Sequence, residues 1–313
     1  MLSAQTKAHL FVFTPLNTNN STTKRERGFV NTAKAFTGEL IGTFIMCFAG
    51  IGAVATATLF GALTGPGQVG LVWGLAIAIA IFVTRNLSDA HFNPAVTFAM
   101  CIAGRMKWSQ LPIYIVGQCC GAFLAAGGLW LLFADSVMKN LKNAGLSMAS
   151  NSIGSAASIW CEIYPNTSAG AVSYMTGAIA EGIGVFVLVL VIFSVTSSEN
   201  VGRASRNLAP LFIGLTITIM INVIGPLTDA GLNPARDMMP RVWACIVGWG
   251  NIAFGSNPFE TCIVYIVGPL VGGLLAALLY KFVLAPMHKK GAEADKAMAD
   301  SNEKYLEAED ALL

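Results

Sequence analysis

The sequence predicts an all-α membrane protein: six transmembrane helices plus two re-entrant half-helices in an inverted repeat. Three observations predict it. Only 12% of the 313 residues are charged and 55% are hydrophobic, whereas an average soluble domain carries about 25% charged residues. Six segments approach the roughly 20 mostly apolar residues that cross a bilayer: 35–60, 68–87, 110–133, 171–195, 207–226 and 261–284. The tripeptide Asn-Pro-Ala occurs twice, at Asn93-Pro94-Ala95 and Asn233-Pro234-Ala235, each after an apolar segment. The flanks match as well, with Asp89-Ala90-His91-Phe92 before the first copy and Asp229-Ala230-Gly231-Leu232 before the second.

Residues 1–33 are rich in Ser, Thr and Asn without periodicity and read as a disordered tail. They hold Lys7, Lys24, Arg25 and Arg27 but no apolar core with a cleavage site, so the first span is expected to serve as its own insertion signal. That span opens Gly38-Glu39-Leu40-Ile41-Gly42, and the fourth opens similarly with Ala180-Glu181-Gly182-Ile183-Gly184. Glu39 precedes Asn93 by 54 residues and Glu181 precedes Asn233 by 52. The third and sixth spans share Ile115-Val116-Gly117 and Ile266-Val267-Gly268. The chain is thus two halves, each made of span, span, half-helix and span. Three spans per half is an odd number, so the second half enters the membrane upside down, with a site expected at the midplane.

Each half-helix, about 94–103 and 234–245, starts with Asn as cap and Pro in the first position. Both are too short to cross the hydrocarbon. Such segments are tolerated at depth where they are buried in protein or line an aqueous cavity. Gly121, Gly127-Gly128 and Gly272-Gly273 permit close helix approach in lipid.

Lys and Arg set the orientation. They cluster in the N-tail, at Arg105 and Lys107, at Arg203 and Arg206, and from Lys281 onward. The loop at 57–67 has none, and the loop at 134–170 has only Lys139 and Lys142. Both termini are therefore expected in the cytoplasm and the long loop outside. That loop holds Asn166-Thr167-Ser168, a possible N-glycosylation site. Residues 286–313 read as a charged cytoplasmic tail, a short frayed helix or none.

The sequence argues against several chemistries. A net charge of +2 gives no nucleic-acid footprint. The Cys residues, 47, 101, 119, 120, 161, 245 and 262, lack metal-ligand spacing, and Cys119-Cys120 in an apolar run reads as packing. No nucleophile with an oriented His is identifiable, since His9 and His288 lie in tails. No enzyme, cofactor or metal is expected.

The twin Asn-Pro-Ala motifs, Glu39, Glu181, and Arg236 directly after the second motif together resemble the aquaporin superfamily, over roughly residues 35–285. The resemblance implies a six-helix bundle whose half-helices meet at a pore centre, usually assembled as a homotetramer with one pore per subunit. On this reading residues 34–285 are the channel domain, with halves of about 34–133 and 171–285, in the plasma membrane. Two helix N-termini meeting midway create a positive maximum that repels cations. Asn93 and Asn233 can each donate an amide hydrogen to one passing oxygen. Arg236 should face the lumen near the outer mouth, with a purely structural salt bridge as the alternative. Glu39 and Glu181 accept hydrogen bonds from the irregular backbone before each half-helix, or else relay protons. His91 braces a loop or forms a vestibule wall.

Within the superfamily, the chain resembles the glycerol-conducting branch through Asp237, Arg241, Pro269-Leu270 and Gly248-Trp249-Gly250. Trp73, 20 residues before Asn93, stands where glycerol channels place a constriction Trp. Its indole offers an apolar wall for a polyol's carbon skeleton, and Arg236 takes the hydroxyls. Ile221 and Ala230 complete the implied filter, but many glycerol channels have Gly at the former position and an aromatic at the latter. Asp89 and Asp229 also depart from the pattern; Asp229 pairs with Arg236, shapes the outer mouth or caps a loop. The expected partners are glycerol, water, other small neutral solutes such as urea, and the lipid bilayer. The alternatives are a water-selective aquaporin, a proton-coupled carrier and, more remotely, a structural junction protein.

Overall fold

The computed structural model describes residues 22–148, 157–164, 172–200, 202–203, 205 and 207–310. Among them the architecture is entirely helical: α1 (Thr22–Phe60), α2 (Gly65–Thr84), α3 (Pro94–Ile102), α4 (Leu111–Asn143), α5 (Tyr174–Thr196), α6 (Ala209–Thr228), α7 (Pro234–Ala244), α8 (Pro258–Cys262), α9 (Gly268–Leu279) and α10 (Ala285–Asp310). The last three form one continuous rod through π-turns at Ile263–Val267 and Tyr280–Leu284. Among the described residues, six helices are long and apolar enough to span a bilayer. Proline marks the starts: α2, α3, α4, α6, α7 and α8 each carry Pro in the first or second position, where its missing N–H has no helical partner to lose, while Pro269 of α9 follows the first π-turn inside the rod.

Three boundaries differ from expectation. Helix α1 begins at Thr22, so residues 22–33 are helical rather than disordered. Lys24, Arg25, Glu26 and Arg27 are adequate helix formers on the end of an existing helix, where the nucleation cost is already met. Residues 1–21 lie outside the described set. Helix α4 runs to Asn143 and takes in the first ten residues of the expected long loop. At the other end, α10 continues the sixth span to Asp310 in place of a short frayed helix. Its Ala-, Glu- and Lys-rich composition prolongs the rod for the same reason.

The two halves interlock. Helix α1 packs on α4 and α2, as α5 packs on α9 and α6. Each half-helix instead leans on the third span of the other half: α3 on α9 and α7 on α4. Helices α2 and α6 cross at Gly74 and Gly214, and a Cβ on Gly74 would stand 2.5 Å from the Gly214 carbonyl oxygen. Each glycine lies 19 residues before its Asn-Pro-Ala, so the pair straddles the pseudo-two-fold axis. The outer surface is apolar, with Leu71, Leu75, Ile79 and Phe82 exposed along one face of α2. The ionisable residues Glu39, Glu181, Arg236, Asp237 and Arg241 are buried inside. That inversion of a soluble protein's pattern suits a lipid solvent.

Candidate functional site

The N-termini of α3 and α7 meet at the centre of the bundle. Asn93 caps α3, its Oδ1 accepting from Ala95 N at 2.9 Å. Asn233 caps α7, accepting from Ala235 N and Arg236 N at 3.1 and 3.2 Å. The amide nitrogens cross over. Asn93 Nδ2 donates to Leu232 O at 2.8 Å, and Asn233 Nδ2 donates to Phe92 O at 2.7 Å. Each NH2 carries two hydrogens and uses one in this stitch, which leaves one for the lumen. Pro94, Ala95, Pro234 and Ala235 are buried behind the caps.

The backbone leading into each cap is strained in the same way in both halves. Ala90, Phe92, Ala230 and Leu232 all have φ between 52° and 58°, a region that costs non-glycine residues about 1–3 kcal/mol each. The two buried carboxylates hold this conformation. Glu39 accepts from Ser88 Oγ (2.7 Å), His91 N (3.0 Å), Phe92 N (2.7 Å) and Gln118 Nε2 (2.8 Å). Glu181 accepts from Thr228 Oγ1 (2.6 Å), Gly231 N (2.9 Å) and Leu232 N (2.5 Å). These are the backbone-acceptor contacts expected of the pair. Ser88 and Thr228 escaped notice in the sequence, although each sits five residues before its motif. His91 braces the first loop, its Nδ1 3.3 Å from Thr97 Oγ1 and its ring against Tyr114. Tyr114 also donates to Asp89 Oδ2 at 3.1 Å.

One cavity of about 650 Å³ passes this centre. At one end it is lined by Arg85, Asn86, Arg105, Thr196 and Asn207, with Asp89 and His91 further in. It passes Asn93 and Asn233 and reaches Trp73, Ile221, Ala230 and Arg236 at the other end. All four filter residues implied by the resemblance therefore line one cavity. The Arg236 guanidinium lies 4.3 Å from the centre of the Trp73 ring. Trp73 is seated flat on α1 at Gly50, where a Cβ would collide with the indole.

Of the residues that carry the resemblance to the glycerol branch, Asp237 and Arg241 share the half-helix of Arg236. Arg241 Nε and Nη2 grip Asp237 at 2.8 and 2.9 Å, with both residues buried. Arg241 also donates to Ala253 O at 2.8 Å and to Glu162 O at 2.5 Å. Trp249, from the Gly248-Trp249-Gly250 insertion, packs against Trp130 and Trp160. Pro269 is buried at the start of α9, beside the half-buried Leu270. There Gly268 and Gly272 meet Ala178 and Gly182 of α5 in direct backbone contact.

Glu162 carries no signal in the sequence either. Its carboxylate forms an ion pair with Arg236. It belongs to a loop with no counterpart in the other half, so the repeat offered no signal for it. Asp229 accepts from the neighbouring Ile163 N at 3.0 Å while ending α6 in a left-handed turn. It thereby caps its helix, and Glu162 stands in contact with Arg236. Cys161 in the same loop is buried, and loss of solvation pushes its thiol up to about 12. Asn166 lies outside the described residues. Among the described residues, no cluster of His, Cys, Asp and Glu could hold a metal.

Comparison with known proteins gives a consistent result. The family profile described as major intrinsic protein matches residues 27–280. The chain is 33% identical over 277 residues to human aquaporin-9, covering 87% of this chain and 90% of that protein. It is 34% identical over 245 residues to the glycerol uptake facilitator protein of Escherichia coli K12, covering 78% and 85%. Among solved structures, the X-ray structure of the aquaglyceroporin from Plasmodium falciparum superposes with a TM-score of 0.71 at 26% identity, over 82% of this chain and 98% of that one.

Proposed function

The chain belongs to the major intrinsic protein family, and from that premise we propose that it is a passive transmembrane channel for glycerol and water. It is an integral membrane protein of a transport family rather than an enzyme family. The observation that carries the reading is the cavity of about 650 Å³ running past both stitched caps to the Trp73–Arg236 pair.

Three features support selective, passive conduction. The starts of α3 and α7 bring two positive helix ends to the centre, which opposes cations, including hydronium. The free amide hydrogens of Asn93 and Asn233 can hold one water or hydroxyl oxygen and interrupt a proton wire. Trp73, Ile221 and Ala230 offer an apolar wall to a carbon skeleton, with Arg236 as donor to its hydroxyls. Glu39 and Glu181 have their oxygens filled by local donors, which favours a structural role over a proton relay.

In our reading both termini are cytoplasmic, the Glu162 loop lies outside with Asn166 open to glycosylation, and the plasma membrane is the site of action. Urea and other small neutral solutes also pass, and the protein assembles as a homotetramer. Radiolabelled glycerol uptake and osmotic shrinkage in proteoliposomes test the reading together. Fast shrinkage with no glycerol flux above empty vesicles would leave a water-selective channel. Uphill accumulation driven by a pH gradient would make it a carrier.

A further inference from the structure

The two ends of the cavity carry different charge. Arg236, at the Trp73 end, is buried and ion-paired. At the opposite end Arg85 and Arg105 both line the wall, and both are exposed. Neither has an ion-pair partner among the described residues, whose ion pairs involve Arg236 and Arg241. Both guanidinium groups are held by neutral partners instead. Arg105 Nη1 donates to Thr196 Oγ1 at 3.0 Å, and its guanidinium lies 5.0 and 5.4 Å from the ring centres of Phe193 and Tyr280. The Arg85 guanidinium lies 5.3 Å from the ring centre of Phe82. Arg105 is not needed to compensate the negative end of α3, because Lys281 Nζ already donates to Ile102 O there at 3.2 Å. Asn86 and Asn207 add amide donors to the same wall. Asp89 stands further in, where Tyr114 donates to it. This end therefore sets two cations against one anion.

We propose that this end of the cavity binds a small phosphate monoester of a polyol, and that the bound ester blocks the path to Asn93 and Asn233. The fit follows from the order of groups along the wall. A phosphate monoester carries about two negative charges at neutral pH, and its oxygens accept from guanidinium and amide N–H groups. Arg85, Arg105, Asn86 and Asn207 supply those donors at the mouth. The hydroxylated tail of the ester then points inward, where Asn93 and Asn233 each keep one amide hydrogen beyond their stitch. The head cannot follow the tail. Asp89 repels it on the way in, and leaving water is costly for a charged group without a partner. An uncharged polyol meets neither restraint and passes. In our reading this mouth faces the cytoplasm, so a phosphorylated polyol on that side would slow the movement of its own parent.

The inference rests on the channel reading, and the experiment separates the two. Glycerol uptake into phosphatidylcholine proteoliposomes is measured for the wild type, Arg85→Gln, Arg105→Gln, Arg105→Lys and the double Gln variant. Glycerol phosphate or inorganic phosphate is present on both faces of the membrane, so that the orientation of the protein is immaterial. Inhibition is read against each variant's own uninhibited flux, and calorimetric titration of the full chain in detergent reads binding directly. Glycerol phosphate should inhibit the wild type, and inorganic phosphate should inhibit it less. Each Arg→Gln substitution should weaken the inhibition at least about tenfold, equivalent to about 1.4 kcal/mol. Arg105→Lys keeps the charge and should lose less than Arg105→Gln, and the double variant should show no inhibition. If Arg105→Gln does not reach the vesicles, Arg85→Gln carries the same expectation. Equal inhibition by the two probes, equal loss in Arg105→Lys and Arg105→Gln, or wild-type inhibition in the double variant would overturn the proposal. So would inhibition that disappears in vesicles containing phosphatidylglycerol, which would assign the arginines to a lipid headgroup. Absence of glycerol uptake by the wild type would instead sink the channel reading, while the titration would still report on the site.

Discussion

Replacing Glu39 by Leu removes the acceptor for four hydrogen bonds at the heart of the first half. Two of the donors can manage without it. Gln118 Nε2 retains Thr97 Oγ1 at 2.9 Å, and the Ser88 hydroxyl can rotate. His91 N and Phe92 N cannot, because they are backbone groups in a buried loop. Two orphaned buried N–H groups cost about 1–3 kcal/mol each, or about 2–6 kcal/mol together. That is a large share of a typical domain stability of about 5–15 kcal/mol. The positive φ of Ala90 and Phe92 would no longer be held, so the loop should relax, and Phe92 O should withdraw from Asn233. Glu39→Gln should cost less, about 1–3 kcal/mol, since one oxygen survives while an NH2 now faces donors. Equilibrium unfolding in detergent, with glycerol and water flux at matched protein load, measures both effects. Both variants within about 0.5 kcal/mol of wild type and conducting normally would refute the reasoning. Wild-type stability with loss of uptake driven by a pH gradient would point to a proton relay instead.

Other perturbations probe the remaining parts. Trp73→Ala should raise the flux of five-carbon polyols relative to glycerol, and an unchanged ratio would remove Trp73 from the filter. Gly50→Ala forces the indole off α1 toward Arg236; overpacking of this kind costs about 1–3 kcal/mol, and glycerol flux should fall more than water flux. Equal falls in both would argue that the ring yields elsewhere. Arg241→Met strands the buried Asp237 carboxylate and should lower stability by about 3–5 kcal/mol, with most of the loss recovered in Asp237→Leu/Arg241→Met. A single variant as stable as wild type would show that the pair is dispensable.

Much of this molecule was legible along the chain because the relevant signals are local. Asn followed by Pro caps a helix wherever it occurs, a run of apolar residues spans a bilayer by length alone, and odd spans per half force inversion. Duplication let one half check the other, so Glu39 and Glu181 were found as a matched pair and their backbone-acceptor contacts followed from position. The same comparison could have exposed Ser88 and Thr228, and Gly74 and Gly214. The helix ends at Thr22 and Asp310 were not legible because polar composition suggests disorder in the first tail and at most a short frayed helix in the second, whereas extension of an existing helix needs no new nucleus.

The chain by itself determined the spans, the inversion and the twin caps, because each is written in residues close together or repeated at a fixed spacing; Trp73 and Arg236 were singled out by the family resemblance. Only the tertiary structure decided which carbonyls the two asparagines would take, and that Arg236 would be met by Glu162. Asn93 finds its partner 139 residues away in Leu232. Glu162 sits in the one loop that duplication did not copy. A hydrogen bond or ion pair between distant segments has no periodicity and no motif; it exists only once packing has brought its two ends within reach.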